Sequence, residues 1–378
     1  MNKRNNILIC PLEWGLGHAT RMIPMARRLL AMNQNVLIAS GEDHLNLFRE
    51  ELPGLTYIDF PGFKPVYSRY MPQYITLLLK TPLLLFHIFR EHYKLKRIIA
   101  DYSIDLVISD NRFGLWNRTI KTAYITHMPL IPFPKPLQFL EFIGIHLHRL
   151  IIRKYSFCFI PDLPGEINFT GRLSHGIRIP QNVRYIGILS RFPVTVQQLS
   201  ADPLLFRHNT VILSGPEPQR SIFRKMILKL LHDEKIVTVI LEGKPGKGNE
   251  INRSDNFAFC NHLAAPEMQQ VISSSEKIIT RAGYSTIMEL LSLNRSALLV
   301  ATPGQTEQEY LAEYLSLKGL FISSPQIKLK DGISVIPGIE SFPAGINEQS
   351  TLLLDKALSE LLEYHQHKGK HNESGQKS

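Results

Sequence analysis

Residues 280–291 read Thr-Arg-Ala-Gly-Tyr-Ser-Thr-Ile-Met-Glu-Leu-Leu, and residues 303–310 read Pro-Gly-Gln-Thr-Glu-Gln-Glu-Tyr. This order predicts a strand end, a tight glycine turn, a helix start, a second strand and then a polar loop. In an open α/β sheet, ligands bind where the carboxyl ends of strands meet helix N-termini. The stretch therefore predicts both an α/β fold and one edge of a binding site.

The side chains of this stretch suit a phosphate and two sugars. Ser285 and Thr286 fall at the predicted helix N-terminus, where free N–H groups can hold a diphosphate. Glu289 follows one turn later, within reach of a sugar hydroxyl. The second loop adds neutral and acidic groups suited to reading hydroxyls, namely Gln305, Glu307 and Gln308. Together these groups predict a site for a nucleotide sugar.

A second informative stretch lies at residues 7–21, Ile-Leu-Ile-Cys-Pro-Leu-Glu-Trp-Gly-Leu-Gly-His-Ala-Thr-Arg. It predicts a strand, a glycine loop in which Gly17 lets the backbone approach a ligand closely, and a helix. His18 at the helix start could take a proton from an acceptor hydroxyl, since imidazole titrates near neutral pH, or it could cap and pack. Arg21, one turn later, could neutralise a diphosphate or an anionic acceptor, or simply be solvated.

The two stretches lie about 260 residues apart, and together they resemble the GT-B-fold glycosyltransferases, in particular the MurG-like UDP-sugar enzymes. The resemblance implies two Rossmann-like domains facing across a cleft. It implies phosphate contacts at Gly283, a ribose contact at Glu289 and hexose contacts at Gln305 and Gln308. A UDP-sugar would be the substrate, without a cofactor or a metal ion, and the chain contains no Asp-x-Asp.

The composition fits two domains of ordinary size. The chain has 378 residues, 44% of them apolar, and a net charge of +10 that suits anionic partners. The three cysteines are widely spaced, which favours neither a disulfide framework nor a zinc site. Because no signal peptide is visible either, we expect a cytoplasmic protein. Basic residues are not interleaved with aromatic ones in a stripe, and we expect no nucleic-acid partner.

Alternating strands and helices divide the chain. We predict an acceptor-binding Rossmann-like domain over residues 1–192, a linker over 193–208 and a nucleotide-sugar-binding Rossmann-like domain over 209–348. A C-terminal helix over 349–366 and a disordered polar tail over 367–378 follow.

Further candidate residues fall at predicted strand ends of the first half. Asp110 and Asn111 follow one strand and His127 follows the next. Polar groups at this edge are candidates for acceptor binding, and Asp110 is also an alternative base to His18. Turn formation by Asp110 and Asn111 explains them equally well.

The second half offers weaker candidates for donor binding. Gly215 lies in a loop that is glycine-rich in MurG-like enzymes, but two prolines remove N–H donors there. Arg220 could replace those donors with a guanidinium. Leu263 lies where the family contacts uracil through the backbone. Arg281 could approach phosphate or form a structural ion pair.

Two apolar segments, residues 74–90 and 139–153, carry basic residues and predict either core helices or a surface that meets anionic lipid. MurG-like enzymes with lipid-linked acceptors have such a surface on this domain. We therefore expect the protein to be cytoplasmic, with peripheral association at the inner membrane face, and the acceptor to be a cell-envelope glycan or a lipid-linked molecule.

The sequence supports an inverting glycosyltransferase that transfers a sugar such as an N-acetylhexosamine. A UDP-sugar epimerase of GT-B fold and a non-catalytic nucleotide-sugar-binding protein stay open as alternatives. A dinucleotide-dependent oxidoreductase is a weaker one, because the Gly15-x-Gly17 loop has Thr20 where the dinucleotide fingerprint needs a third glycine.

Overall fold

The computed structural model describes residues 4–64, 75, 79–192, 207–244, 251–331 and 342–373. Nearly all of the predicted linker, 193–208, lies outside these ranges, as do residues 374–378 of the predicted tail. The predicted domain boundaries therefore stay predictions, although the strands themselves fall into two separate sheets.

The first sheet has seven parallel strands in the order β3-β2-β1-β4-β5-β6-β7. Their ranges are Asn6–Cys10 (β1), Asn35–Ser40 (β2), Thr56–Asp59 (β3), Leu106–Asp110 (β4), Lys121–Ile125 (β5), Phe157–Ile160 (β6) and Val183–Tyr185 (β7). The strand order reverses direction between β1 and β4, so the loops after these two strands open a crevice at the sheet edge.

Among the described residues, the longer α-helices that accompany the first sheet are Leu16–Ala31 (α1), Glu42–Glu51 (α2), Thr81–Asp101 (α3) and Glu141–Ile152 (α4). Helix α1 shows how they pack. Ala19, Met22, Ile23 and Ala26 recur at helical spacing and are fully buried beneath the sheet. Burying each large apolar side chain contributes ~1.5–3 kcal/mol before entropy is counted. This packing fixes the start of α1 beside the crevice.

The second sheet has the order β10-β11-β9-β8-β12-β13-β14 and is parallel except for β10 at its edge. Its strands are His208–Ile212 (β8), Val237–Leu241 (β9), Ile251–Ser254 (β10), Phe257–Cys260 (β11), Ile278–Thr280 (β12), Leu298–Leu299 (β13) and Ile322–Ser323 (β14). Its helices are Gln219–Leu230 (α5), Ala265–Ser274 (α6), Tyr284–Ser292 (α7) and Thr306–Leu317 (α8). The two sheets confirm the predicted pair of Rossmann-like α/β domains.

The C-terminal helix α9, Ile346–Glu373, is longer than predicted and extends into the segment expected to be a disordered tail. No proline interrupts residues 346–373, so each added residue can gain a helical hydrogen bond. Leu354 and Leu358 pack in the core of the first domain, and Arg184 donates to Glu360 at 2.8 Å. Helix α9 therefore returns the end of the chain to the N-terminal domain.

Candidate functional site

The N-termini of two helices from different domains meet in the cleft. Helix α1 begins after Gly15 and helix α7 after Gly283, and neither has a side-chain cap or an acidic residue in its first turn. Ser285 Oγ donates to the Gly17 carbonyl oxygen at 2.7 Å, and a Cβ built on Gly17 would lie 2.9 Å from Ser285 Oγ. Only glycine permits this approach without a shift. The uncapped N–H groups make this point attractive to an anion.

His18 and Asp110 form a bonded pair beside these helix ends. Asp110 ends β4 and is fully buried, and its Oδ2 lies 2.9 Å from His18 Nδ1. Arg21 clamps the same carboxylate, with Nε at 3.0 Å from Oδ2 and Nη2 on Oδ1. Burial raises the pKa of Asp110, but the charge of Arg21 and the hydrogen bonds from Arg21 and His18 outweigh it and hold the pKa below its usual range. Asp110 is thus an ionised orienting group and a poor base.

These bonds determine which nitrogen of His18 is free. An ionised carboxylate only accepts, so the proton on Nδ1 points at Asp110 and the lone pair is on Nε2. The opposite tautomer, with Nδ1 accepting from Arg21 Nη2 at 2.9 Å, would turn a lone pair toward the carboxylate. Burial, followed by the charge of Arg21, lowers the pKa of His18, so the imidazole is neutral at neutral pH.

The structure places the three predicted acceptor ligands inside the protein. Arg21, Asn111 and His127 are all buried. Asn111 has a left-handed backbone (φ 51°), and its Oδ1 accepts from Tyr124 at 3.0 Å, so it serves the turn after β4. His127 bonds Arg21 Nη1 through Nδ1 at 2.9 Å and Glu307 Oε1 through Nε2 at 2.8 Å. Because their polar groups are bonded to other residues of the protein, these side chains are better suited to positioning their neighbours than to binding an acceptor directly.

The predicted ribose reader, Glu289, lies one turn into α7 and is buried. Its Oε1 lies 2.9 Å from Nε of Arg191, a residue that was not among the predicted site residues. Burial raises the pKa of Glu289, and the Arg191 charge offsets this only in part. A ribose hydroxyl here would therefore meet a carboxylate already oriented by a cation. Arg191 has no sequence signal of its own, because it follows an irregular stretch.

The loop that was predicted to bind the hexose leads into helix α8. Gln308 Oε1 accepts from Thr302 N at 2.9 Å, and Gln308 Nε2 donates to Gln305 Oε1, so the two amides brace one loop. Thr306 Oγ1 donates to the Pro132 carbonyl oxygen at 2.7 Å across the cleft. The loop is thus in contact with the first domain.

The remaining residues that were predicted to bind the donor are less well placed to contact a ligand through their side chains. Arg281 lies over the Phe223 ring at 4.1 Å and donates to three backbone carbonyl groups, which favours a structural role over the predicted phosphate contact. Arg220 donates to Glu217 at 3.0 Å and to the Gly243 carbonyl oxygen at 3.2 Å. Gly215 has a φ of +93° in its loop. The side chain of Leu263 packs in the core, so only its backbone could contact a nucleobase such as uracil.

An exposed apolar face covers part of the first domain. On α3, Phe86, Phe89 and Tyr93 are each more than 60% exposed and share one side of the helix with basic residues. On and before α4, five large apolar residues are exposed by at least 44%: Phe139, Phe142, Ile143, Leu147 and Leu150. Both helices pack on the segment 113–116, through His92–Trp116 on α3 and His148–Phe113 on α4. We call this combined surface the apolar–basic face.

Two Rossmann-like domains enclosing such a site define the GT-B fold of glycosyltransferases. The comparisons agree with this class: residues 235–339 match the model of the glycosyltransferase family 28 C-terminal domain. This match is compatible with the predicted MurG-like resemblance, and the two-domain fold is of GT-B type.

Solved glycosyltransferases share the fold over nearly the whole chain. The glycosyltransferase SnogD from Streptomyces nogalater has 14% identity and a TM-score of 0.55, with 97% of this chain and 98% of SnogD covered. UGT73P12 from Glycyrrhiza uralensis has 11% identity and a TM-score of 0.57, with 98% of each chain covered.

A curated relative is an uncharacterized glycosyltransferase from Methanosarcina mazei, 24% identical over 240 residues. The matched region covers 60% of this chain and 62% of that relative, so the chain spans about three fifths of the relative's length.

Proposed function

We propose that the protein transfers a sugar from a UDP-sugar to a cell-envelope glycan or a lipid-linked acceptor, with inversion at the anomeric carbon. The observation that carries this proposal is the His18–Asp110 pair, which lies beside two uncapped helix N-termini in the cleft. A base and an anion-stabilising point on opposite sides of one cleft are what direct displacement of a diphosphate requires.

In the proposed mechanism, His18 Nε2 takes the proton of the acceptor hydroxyl while that oxygen attacks the anomeric carbon. Asp110 stabilises the imidazolium that forms and keeps Nε2 directed at the acceptor. The bond from the anomeric carbon to the diphosphate breaks, and its electrons leave with UDP. The N–H groups of Ser285 and Thr286 stabilise the departing charge, without a cofactor and without a metal ion in the scheme.

The test of this proposal is product analysis after a thermal-shift screen of nucleotide sugars, since specific binding stabilises a protein by mass action. We expect a UDP-sugar to raise the midpoint temperature. Nuclear magnetic resonance of the product should then show an anomeric configuration opposite to that of the donor. A product with retained configuration, or turnover of the donor alone to its epimer, would contradict the proposed displacement.

We predict that the donor contacts separate into a ribose group and a hexose group. Glu289→Ala should weaken UDP binding by ~1.5–3 kcal/mol, because it removes a charge-assisted hydrogen bond. Gln308→Ala should leave UDP affinity unchanged and weaken the intact UDP-sugar. Isothermal titration calorimetry with UDP and with the UDP-sugar measures both effects. Equal losses for the two ligands in Gln308→Ala would contradict the hexose role, and unchanged UDP affinity in Glu289→Ala would contradict the ribose role.

We propose that the apolar–basic face brings the acceptor domain to the cytoplasmic side of a membrane. Aromatic residues at positions 86, 89 and 93 suit the lipid interface, and Arg90, Lys96 and Arg97 on the same helix suit anionic headgroups. No helix in the described ranges is long and apolar enough to span a bilayer. In this proposal, the exposed aromatic side chains hold the protein at the lipid interface and place the cleft near a lipid-linked acceptor.

We expect purified protein to float with anionic vesicles at low salt, to float less with neutral vesicles and to be partly released by high salt. Each basic residue near an anionic surface contributes ~1 kcal/mol, and salt screens that attraction. Replacing Arg149 and Arg153 by glutamate should reduce flotation. The matched control reverses Lys225 and Lys229 on α5 of the other domain, both exposed. Equal flotation of both double variants, or no binding to anionic vesicles, would favour a soluble acceptor.

A further inference from the structure

The ring of His127 is held from three sides, and two of the three contacts come from the opposite domain. Tyr284 of α7 stacks on its face, with ring centroids 4.0 Å apart and planes at 17°. Glu307 of α8 bonds Nε2 at 2.8 Å, and Arg21 of α1 bonds Nδ1 at 2.9 Å. The side chain is 3% exposed, so little of it remains for a ligand.

The partners of His127 determine its tautomer. A guanidinium only donates, so His127 Nδ1 must accept from Arg21. The ring proton is then on Nε2 and is donated to the Glu307 carboxylate. Burial raises the pKa of Glu307, but the His127 contact, followed by the charge of Arg21, holds it below its usual range. The Glu307 carboxylate is therefore ionised, and the hydrogen bond that it accepts from His127 is charge-assisted.

The two contacts from the opposite domain come from the two segments proposed to read the donor. Tyr284 lies between Gly283 and Ser285, at the helix end assigned to the diphosphate. Glu307 lies next to Gln308, in the loop assigned to the hexose. A shift of either segment on donor binding would therefore change a contact of the same imidazole ring.

On the other side of His127, the contacts lead to the proposed base. Arg21 bonds His127 through Nη1 and Asp110 through Nε and Nη2, and Asp110 orients His18. Arg21 also lies 5.7 Å from the centroid of the Tyr284 ring. The guanidinium is thus fixed between the donor-reading segments and the His18–Asp110 pair.

We propose that His127 is a positioning residue, through which occupancy of the donor segments sets the orientation of the His18–Asp110 pair, and that it is not an acceptor ligand. This inference rests on the function proposed above. It predicts that His127 affects the rate of the chemical step and hardly affects the affinity for either substrate.

The kinetic test uses His127→Phe, which keeps a planar ring for Tyr284 and removes both hydrogen bonds. We expect kcat to fall by about 10- to 100-fold, the range for a lost charge-assisted hydrogen bond, while the acceptor KM and the UDP Kd change less than about threefold. Glu307→Gln keeps an acceptor oxygen for Nε2 and should retain most of the activity, whereas Glu307→Leu should not. A raised acceptor KM with normal kcat in His127→Phe would overturn the proposal.

A double-mutant cycle tests the coupling itself. If Glu307 acts on the reaction through His127, then the double variant His127→Phe/Glu307→Leu should lose no more activity than the worse single variant. Additive losses would show that the two side chains act independently and would overturn the proposal.

A spectroscopic test does not require turnover. Nitrogen-15 spectra of histidine-labelled full-length protein, assigned by comparison with His127→Phe, should show His127 protonated on Nε2 alone. Adding UDP should shift the His127 and His18 resonances together in wild type and should shift His18 less in His127→Phe. Protonation of His127 on Nδ1, or an unchanged response of His18 in the variant, would overturn the proposal. Failure of UDP to bind at all in calorimetry would instead remove the proposed function and leave the tautomer assignment standing.

Discussion

Replacement of His18 by alanine is expected to lower turnover by ~10²–10⁴-fold, the usual contribution of a general base. Donor affinity should stay nearly constant, because the donor contacts proposed here come from the other domain. The physical reason is that Nε2 is the free nitrogen of a ring whose Nδ1 is bonded to Asp110 at 2.9 Å. Steady-state kinetics with saturating donor, paired with calorimetry of UDP binding, measures both quantities. His232→Ala, an exposed histidine of the second domain, is the matched control.

The pH dependence of kcat/KM adds a signed expectation for the same residue. Burial and the Arg21 charge lower the pKa of His18 below the ordinary value of about 6.5, and the neutral ring is the active form. Activity should therefore persist as pH falls through 6.5 and decline only at lower pH, when His18 becomes protonated. An acidic limb above pH 6.5, or near-normal turnover of His18→Ala, would contradict the assignment of His18 as the base.

Asp110→Asn is expected to damage both activity and stability. The carboxylate is fully buried and clamped by Arg21, which is itself 2% exposed. Removing one partner of a buried ion pair leaves an unpaired charge and typically costs ~3–5 kcal/mol. We expect a loss of this order in the free energy of unfolding, measured by urea denaturation. Turnover should also fall, because an amide can donate toward His18 Nδ1 and favour the wrong tautomer.

A paired variant separates the two consequences of this substitution. Asp110→Leu/Arg21→Met removes both charges and fills similar volume, so it should recover much of the stability lost in Asp110→Asn. Activity should remain low, since nothing then orients His18. If the double variant is as unstable as the single one, then the buried charge of Arg21 is not the cause of the instability.

Local sequence was sufficient for the alternation of strands and helices that defines two α/β domains. The strands Asn6–Cys10 and Asn35–Ser40 are short apolar runs next to turn residues, and such runs are a local signal. The glycine turns before His18 and Ser285 likewise indicated two helix N-termini at sheet edges. Two elements show the limit of that signal. Strand β10 was not predicted, because its exposed residues carry no apolar pattern. The end of α9 was predicted too early, because the polar composition of that segment suggested disorder.

Only the tertiary structure decided which side chains meet. Arg21 and Asp110 are 89 residues apart in the chain, and His127 and Glu307 are 180 apart. Their contacts depend on strand order and on how the two domains face each other, which no local pattern specifies. Packing likewise assigned Arg191 to Glu289 and Arg281 to backbone carbonyl groups, although either arginine alone suits a phosphate. The sequence determines which groups can carry charge and protons, whereas folding determines their partners, because burial and distance set the energy of each pair.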